Sequence, residues 1–184
     1  MNAERGRVVV QDYDPAWPVT FEELRRVILP AVSDIAHAVE HVGSTSVPGL
    51  AAKPIIDMDV VVDAGDVPLA VSRLESVGYE HRGDLGVPGR EAFRSPPDRP
   101  RHHLYVCRSG GEALANHLAV RDHLRANPME AAEYGRLKKS LAEEFANDVA
   151  GYVQAKTRFL LSILQRVGFD PSTLSDIERI NRRD

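Results

Sequence analysis

Residues 54–62, Pro-Ile-Ile-Asp-Met-Asp-Val-Val-Val, constrain the fold more than any other segment of this chain. They are almost wholly apolar and rich in β-branched side chains, broken only by Asp57 and Asp59. Strand side chains alternate between faces, so the two carboxylates point one way while Ile56, Met58 and Val60 point the other. A run that is apolar on both parities belongs inside a sheet covered on each side, which is the habit of α/β proteins. Two carboxylates on one face of such a strand repel each other and resist desolvation. A hard divalent cation such as Mg2+ is the usual compensation. The alternative is a solvated strand end where the pair is simply exposed.

The rest of the chain fits a single domain of 184 residues, 1–184, with an α/β region up to about residue 107 and a helical C-terminal layer. An edge strand is expected at 7–10. A helix starts at Pro18, where proline is tolerated at the first helical position, and carries the stripe Phe21, Leu24, Val27 and Ile28. Pro30 predicts a kink or a split into two short helices. Residues 38–42 form a strand and 68–77 a helix ending at Gly78. Residues 82–101, rich in Gly, Pro and Arg, read as a long loop or a hairpin with a loose tip. A strand at 102–107 precedes helices at 112–126, 128–147 and 149–167, and the tail 172–184 adds a short helix before fraying. Asn127 caps the second of these helices, with Pro128 at its first position.

Chemistry collects around the two carboxylates. Gly43-Ser44-Thr45-Ser46 follows a strand directly, and a small turn with hydroxyls and free backbone N–H groups can cradle phosphate oxygens. Serine- and threonine-rich turns also arise for purely structural reasons. Phosphates held between backbone donors and a metal are the minimum equipment for phosphoryl or nucleotidyl transfer. Lys53 lies in the turn before the carboxylate strand and is read either as a ligand contact or as a surface lysine. Arg121 and Arg125 are four residues apart on one helix, so an anion opposite them is expected, supplied by a ligand or by acidic residues of the protein. Arg90, Arg94, Arg99 and Arg101 form either a lid over a polyanion or a solubilising loop. His41, just before the glycine turn, is placed either to orient it or to approach the cleft. His37, His81, His117 and His123 carry no pattern beyond structural or surface roles. Cys107 reads as a core residue.

The segments His41-Val42-Gly43-Ser44-Thr45-Ser46-Val47-Pro48-Gly49-Leu50 and Ala52-Lys53-Pro54-Ile55-Ile56-Asp57 closely resemble the signature of the GrpB-like family. That domain occurs alone in many bacteria and fused to some dephospho-CoA kinases. More broadly, Gly43-Ser44 followed by Asp57-Met58-Asp59 resembles the Gly-Ser…Asp-x-Asp signature of the nucleotidyltransferase superfamily. The resemblance implies a nucleotidyltransferase fold, that is, a mixed β-sheet with flanking helices. It also implies Gly43 and Ser44 at the nucleotide-phosphate end and Asp57 and Asp59 as catalytic metal ligands. Such enzymes carry a third acidic residue on a later strand, and the matching strand here, 102–107, has none. His103 and Tyr105 share one face of it. An imidazole at His103 would complete the metal site, though it suits a softer ion than Mg2+.

The expected function is therefore metal-dependent transfer of a nucleotidyl or phosphoryl group from a nucleoside triphosphate to a small-molecule acceptor. Asp57, Asp59 and His103 would hold the metal, and Gly43, Ser44, Thr45, Ser46, Lys53, Arg121 and Arg125 the nucleotide. The alternative is a non-catalytic module binding a nucleotide, a CoA-like metabolite or another small anion. A formal charge of -4 supplies no net positive field for nucleic acid. One cysteine excludes an internal disulfide. No segment approaches the roughly 20 apolar residues of a membrane span, and the first residues lack a signal-peptide pattern, so the expected location is the cytoplasm.

Overall fold

A computed structural model describes residues 7–182; the first six residues and the last two, with the end of the tail expected to fray, lie outside it. Among the described residues the elements run α1 Trp17–Val32, β1 Ala36–Val42, β2 Ile56–Val62, α2 Val67–Ser76, β3 Glu80–His81, β4 Arg90–Arg94 and β5 His102–Arg108. They continue with α3 Glu112–Ala126, α4 Pro128–Glu144, α5 Val149–Arg166 and α6 Pro171–Asn181. The five strands form one sheet in the order β1-β2-β5-β4-β3. β2 and β5 are parallel, and every other neighbouring pair is antiparallel. This is the mixed α/β class expected from the sequence.

The chain, expected as one domain, groups into two compact units. One comprises residues 14–46 and 55–118 and holds the whole sheet with α1, α2 and the start of α3; the other is assembled from the N-terminal segment, residues 47–54 and the chain from 119 onward.

In the sheet unit, the run at 54–62 behaves as its pattern demands: from Ile56 to Val62 every residue but Asp57 is buried. One face of the sheet presents Met58, Val60, Val62, Leu104 and Val106, all fully enclosed. α1 packs on β1 and β2, and α2 on β5. α1 turns Trp17, Phe21, Leu24, Ile28 and Val32 inward, a stripe at helical spacing in which each enclosed side chain contributes on the order of 1.5–3 kcal/mol. Val27, expected in that stripe, is exposed. Pro30 does not split the helix, which runs on through it. It sits in the last turn, so the carbonyl it leaves without an N–H is that of Arg26, an exposed residue within reach of water.

In the helical unit, residues 7–10 are not a strand. The Val8 N–H is taken by Ala146 O at 2.8 Å, and the Val8 side chain joins Leu141, Ala142 and Tyr152 in a cluster formed with the helices. An apolar segment packs wherever its side chains are covered, and here helices cover it. A second cluster joins Val47, Leu50, Leu124, Ala131, Tyr134 and Ile163. Asn127 precedes α4, but its amide donates back to His123 O at 2.8 Å instead of capping the helix. No helix among the described residues is long and apolar enough to cross a membrane.

Candidate active site

β1 ends at Val42, and Gly43, at φ +69°, turns the chain into a short 3-10 segment, Ser44–Ser46. That φ favours glycine, and a second reason is steric. A Cβ on Gly43 would collide with the Asp57 carboxylate and come within 2.8 Å of its Cγ and 2.9 Å of its Cβ. The glycine thus allows the turn to lie directly against the first carboxylate of β2.

The turn's own hydroxyls fix its shape. Ser46 Oγ donates to Gly43 O at 2.6 Å, and Thr45 Oγ1 donates to Ile55 O at 3.4 Å. Thr45 Oγ1 also shares a hydrogen bond with His41 Nε2 at 3.0 Å. The His41 ring also stacks on Phe21 with centroids 4.6 Å apart. His41 orients the turn, as its position suggested. Thr45 and Ser46 are buried and their hydroxyls bond within this framework, whereas Gly43 is exposed and Ser44 half-buried. Of the four residues expected to cradle phosphate, Gly43 and Ser44 are those a ligand can reach.

The register of the sheet sets the rest. Asp57 pairs across with Val42 on β1 and His103 on β5; Asp59 pairs with Glu40 and Tyr105. Directly opposed residues share a face, so Glu40, Asp57, Asp59, His103 and Tyr105 lie on one side. Asp57, with 29% of its side chain exposed, accepts from His103 Nδ1 at 2.8 Å. Asp59 is completely buried. Its Oδ2 accepts from His117 Nδ1 of α3 at 2.7 Å, while Oδ1 is enclosed and makes no hydrogen bond. Farther along the same face, Val61, Cys107 and Leu114 pack together with Ala38, Tyr105 and Leu118. One end of the face is thus open and acidic, and the other is sealed by α3.

Two titrating groups feel this arrangement. Burial pushes the Tyr105 hydroxyl well above its ordinary value, and the charge of Asp57 adds to the shift. Burial, followed by the charge of Asp59, does the same to the Cys107 thiol. The Arg90 guanidinium lies over the Tyr105 ring, 4.4 Å from its centroid. Of the arginines read as either a lid or a solubilising loop, Arg90 is occupied there; Arg99 donates to Val77 O at 2.9 Å and covers Tyr79, and Arg94 pairs with Glu80. These arginines brace strands and rings.

Lys53, Arg121 and Arg125 belong to the helical unit. Lys53 lies 5.7 Å from the centre of the Tyr152 ring, and Arg121 Nε donates to Asp122 at 2.7 Å. The anion expected opposite Arg121 is thus supplied in part by its own neighbour. Two residues of the site were missed in the sequence. His117 lies fifteen positions beyond the strand start, on a helix whose approach to β2 leaves no local signal. Glu40 was legible in principle, since it shares parity with Val42 on a strand that runs into the turn.

The fold and the site define a class: a mixed-sheet α/β protein with acidic residues gathered beside a glycine turn. The particular family follows from comparison: residues 7–166 match the family described as GrpB protein, and the chain belongs to that family. It is 40% identical to the UPF0157 protein SCO7215 of Streptomyces coelicolor, covering 90% of this chain and 87% of that one. It is 34% identical to the UPF0157 protein YqkA of Bacillus subtilis over 85% of this chain, which spans only 46% of that protein. The crystal structure of the conserved protein GrpB from Enterococcus faecalis aligns with a TM-score of 0.77 and 37% identity, covering 91% of this chain and 98% of that one. Relatives named dephospho-CoA kinase also match, and this chain spans under half of their length.

Proposed function

We propose that this chain is a metal-dependent nucleotidyltransferase, moving a nucleotidyl or phosphoryl group from a nucleoside triphosphate to a small-molecule acceptor. The observation that carries the reading is Asp59, a completely buried carboxylate with an enclosed oxygen that no hydrogen bond satisfies, on the same face as Asp57. An unsatisfied carboxylate oxygen in such a place costs on the order of 1–3 kcal/mol or more, and a bound cation offsets it. Asp57 and Asp59 would hold a divalent cation such as Mg2+, which would neutralise phosphate charge and polarise the reacting phosphoryl group. Glu40, the cross-strand neighbour of Asp59, supplies a third carboxylate on this face, from the strand before the pair and not the strand after it.

The other roles belong to side chains and backbone of the sheet unit. Gly43 keeps the turn close enough to Asp57 for one ligand to touch both. The exposed N-terminal half of the turn receives phosphate, and His41 and Thr45 hold it in shape from beneath. His103 fixes the Asp57 carboxylate through its Nδ1 proton, so in this reading it orients a metal ligand. The nucleoside base and the acceptor are left to screening.

The test is calorimetric titration of ATP, CTP, GTP and UTP with and without Mg2+, for the wild type and Asp57→Asn. At least one nucleotide is expected to bind only with Mg2+, and Asp57→Asn is expected to weaken that binding at least tenfold with the far-ultraviolet circular dichroism unchanged. Undiminished binding in the variant would overturn the assignment of Asp57. Metal-dependent binding without turnover against any acceptor would make the chain a nucleotide-binding module.

A further inference from the structure

The sealed end of the same face contains a second set of donors with a different chemistry. Asp59 from β2, Cys107 from β5 and His117 from α3 each offer one ligand atom, and these atoms all lie within 4.8 Å of one another. Asp59 and Cys107 are completely buried, and 23% of the His117 side chain is exposed. Around them stand Val61, Ala38, Leu114 and Leu118. The enclosed Asp59 Oδ1, the oxygen on which the proposed function also draws, lacks a hydrogen bond and is a second sign that a positive charge belongs on this carboxylate.

Oxygen, sulfur and nitrogen donors together do not suit Mg2+, which takes oxygen ligands in octahedral geometry. They suit a borderline cation such as Zn2+ or Co2+. In a tetrahedral site with ordinary metal–ligand lengths, neighbouring donors stand roughly 3.3–3.8 Å apart. No pair of donors therefore needs to close by more than about 1.5 Å from the 4.8 Å envelope, within reach of small rotations about their χ angles. Three protein ligands leave a fourth position for water or a ligand atom, the pattern of reactive rather than purely structural zinc sites.

We infer that Asp59, Cys107 and His117 form a site for a thiophilic divalent cation of the zinc class. The charges close: one carboxylate, one thiolate and one neutral imidazole balance a dication, so a buried site of net zero charge results. As the metal–sulfur bond forms, the Cys107 proton passes to solvent, and the His117 proton moves through solvent from Nδ1, where it bonds Asp59, to Nε2, leaving a neutral imidazole whose Nδ1 ligates the metal. The site shares Asp59 with the function proposed above but requires neither a nucleotide nor Asp57, so it stands or falls by itself.

The probe is Co2+ added to protein stripped with chelator. One equivalent is expected to give a thiolate-to-cobalt charge-transfer band and the visible bands of a tetrahedral centre, both lost on addition of one equivalent of Zn2+. Cys107→Ser, nearly isosteric, should abolish the charge-transfer band. His117→Gln, at a partly exposed helix position, should weaken Co2+ binding at least tenfold and carries the test if the serine variant fails to fold. Asp57→Asn should leave the band intact, which separates this site from the nucleotide reading. No charge-transfer band in the wild type, its persistence in Cys107→Ser, or unchanged affinity in His117→Gln would each overturn the inference.

Discussion

Replacing Gly43 with alanine separates two effects that usually come together, because the protein contains its own control. Gly43 and Gly110 both stand at φ +69°, but a Cβ on Gly110 meets nothing within 4 Å, whereas one on Gly43 meets the Oδ2, Cγ and Cβ of Asp57. Left-handed backbone costs a side-chain-bearing residue about 1–2 kcal/mol, and the loss of glycine's freedom in the unfolded chain returns about 0.4–1 kcal/mol of that. Gly110→Ala is thus expected to destabilise by roughly 0.5–1 kcal/mol. Gly43→Ala adds an overlap that rotating the carboxylate alone does not relieve, since Asp57 Cβ itself is 2.9 Å away. Overpacking of this kind adds about 1–3 kcal/mol, for a total of roughly 2–4 kcal/mol. Urea unfolding gives both values. The same displacement moves Asp57, so Mg2+-dependent nucleotide binding should weaken at least tenfold in Gly43→Ala and stay unchanged in Gly110→Ala. Equal destabilisation by the two substitutions would refute the steric argument and leave Gly43 as an ordinary turn glycine.

His41→Ala removes the hydrogen bond to Thr45 and the stack on Phe21 from a buried position. From about 1 kcal/mol for the bond, 0.5–1.5 for the stack and a residual cavity, the expected loss is about 2–4 kcal/mol, read by urea denaturation. In alkali, burial holds the protons of Tyr79, Tyr105, Tyr134 and Tyr152 above their ordinary value of 10, and pushes Tyr152 up to about 12. The unfolded chain loses those protons first, so the stabilisation is complete below pH 10 and is lost as pH rises through the folded values. For Tyr152 alone that amounts to about 3 kcal/mol between pH 10 and 12. Tyrosinate absorbance should show fewer than the chain's five tyrosines ionising below pH 11 while folded, and all five near pH 10 in denaturant; five ionising together in the native protein would contradict this.

Much of the fold was legible because its signals are local. Alternation placed β2 and its two carboxylates on one face, and apolar spacing placed α1 and the C-terminal helices within a few residues of their ends. The failures share a cause. Residues 7–10 have the composition of a strand, but what an apolar segment pairs with is decided by distant chain, and Val8 found helices. Pro30 looked like a break because its effect depends on what surrounds the carbonyl of Arg26, which a sequence does not show. The arginine-rich segment read equally as a lid or a solubilising loop, and the tertiary structure gave Arg90, Arg99 and Arg94 to Tyr105, Tyr79, Val77 and Glu80.

By itself the sequence determined the family, the mixed α/β class, the acidic strand and the glycine turn beside it, since each is written in adjacent residues at a fixed period. Register and helix docking were decided only in three dimensions. They brought Glu40 across from Asp59, laid His103 on Asp57 and lowered His117 onto Asp59 from fifty-eight residues away. They also left one oxygen of Asp59 enclosed without a hydrogen bond. The physical reason is that a side chain's face is set by its own strand, but its partners and its access to water are set by whichever segments pack against that face.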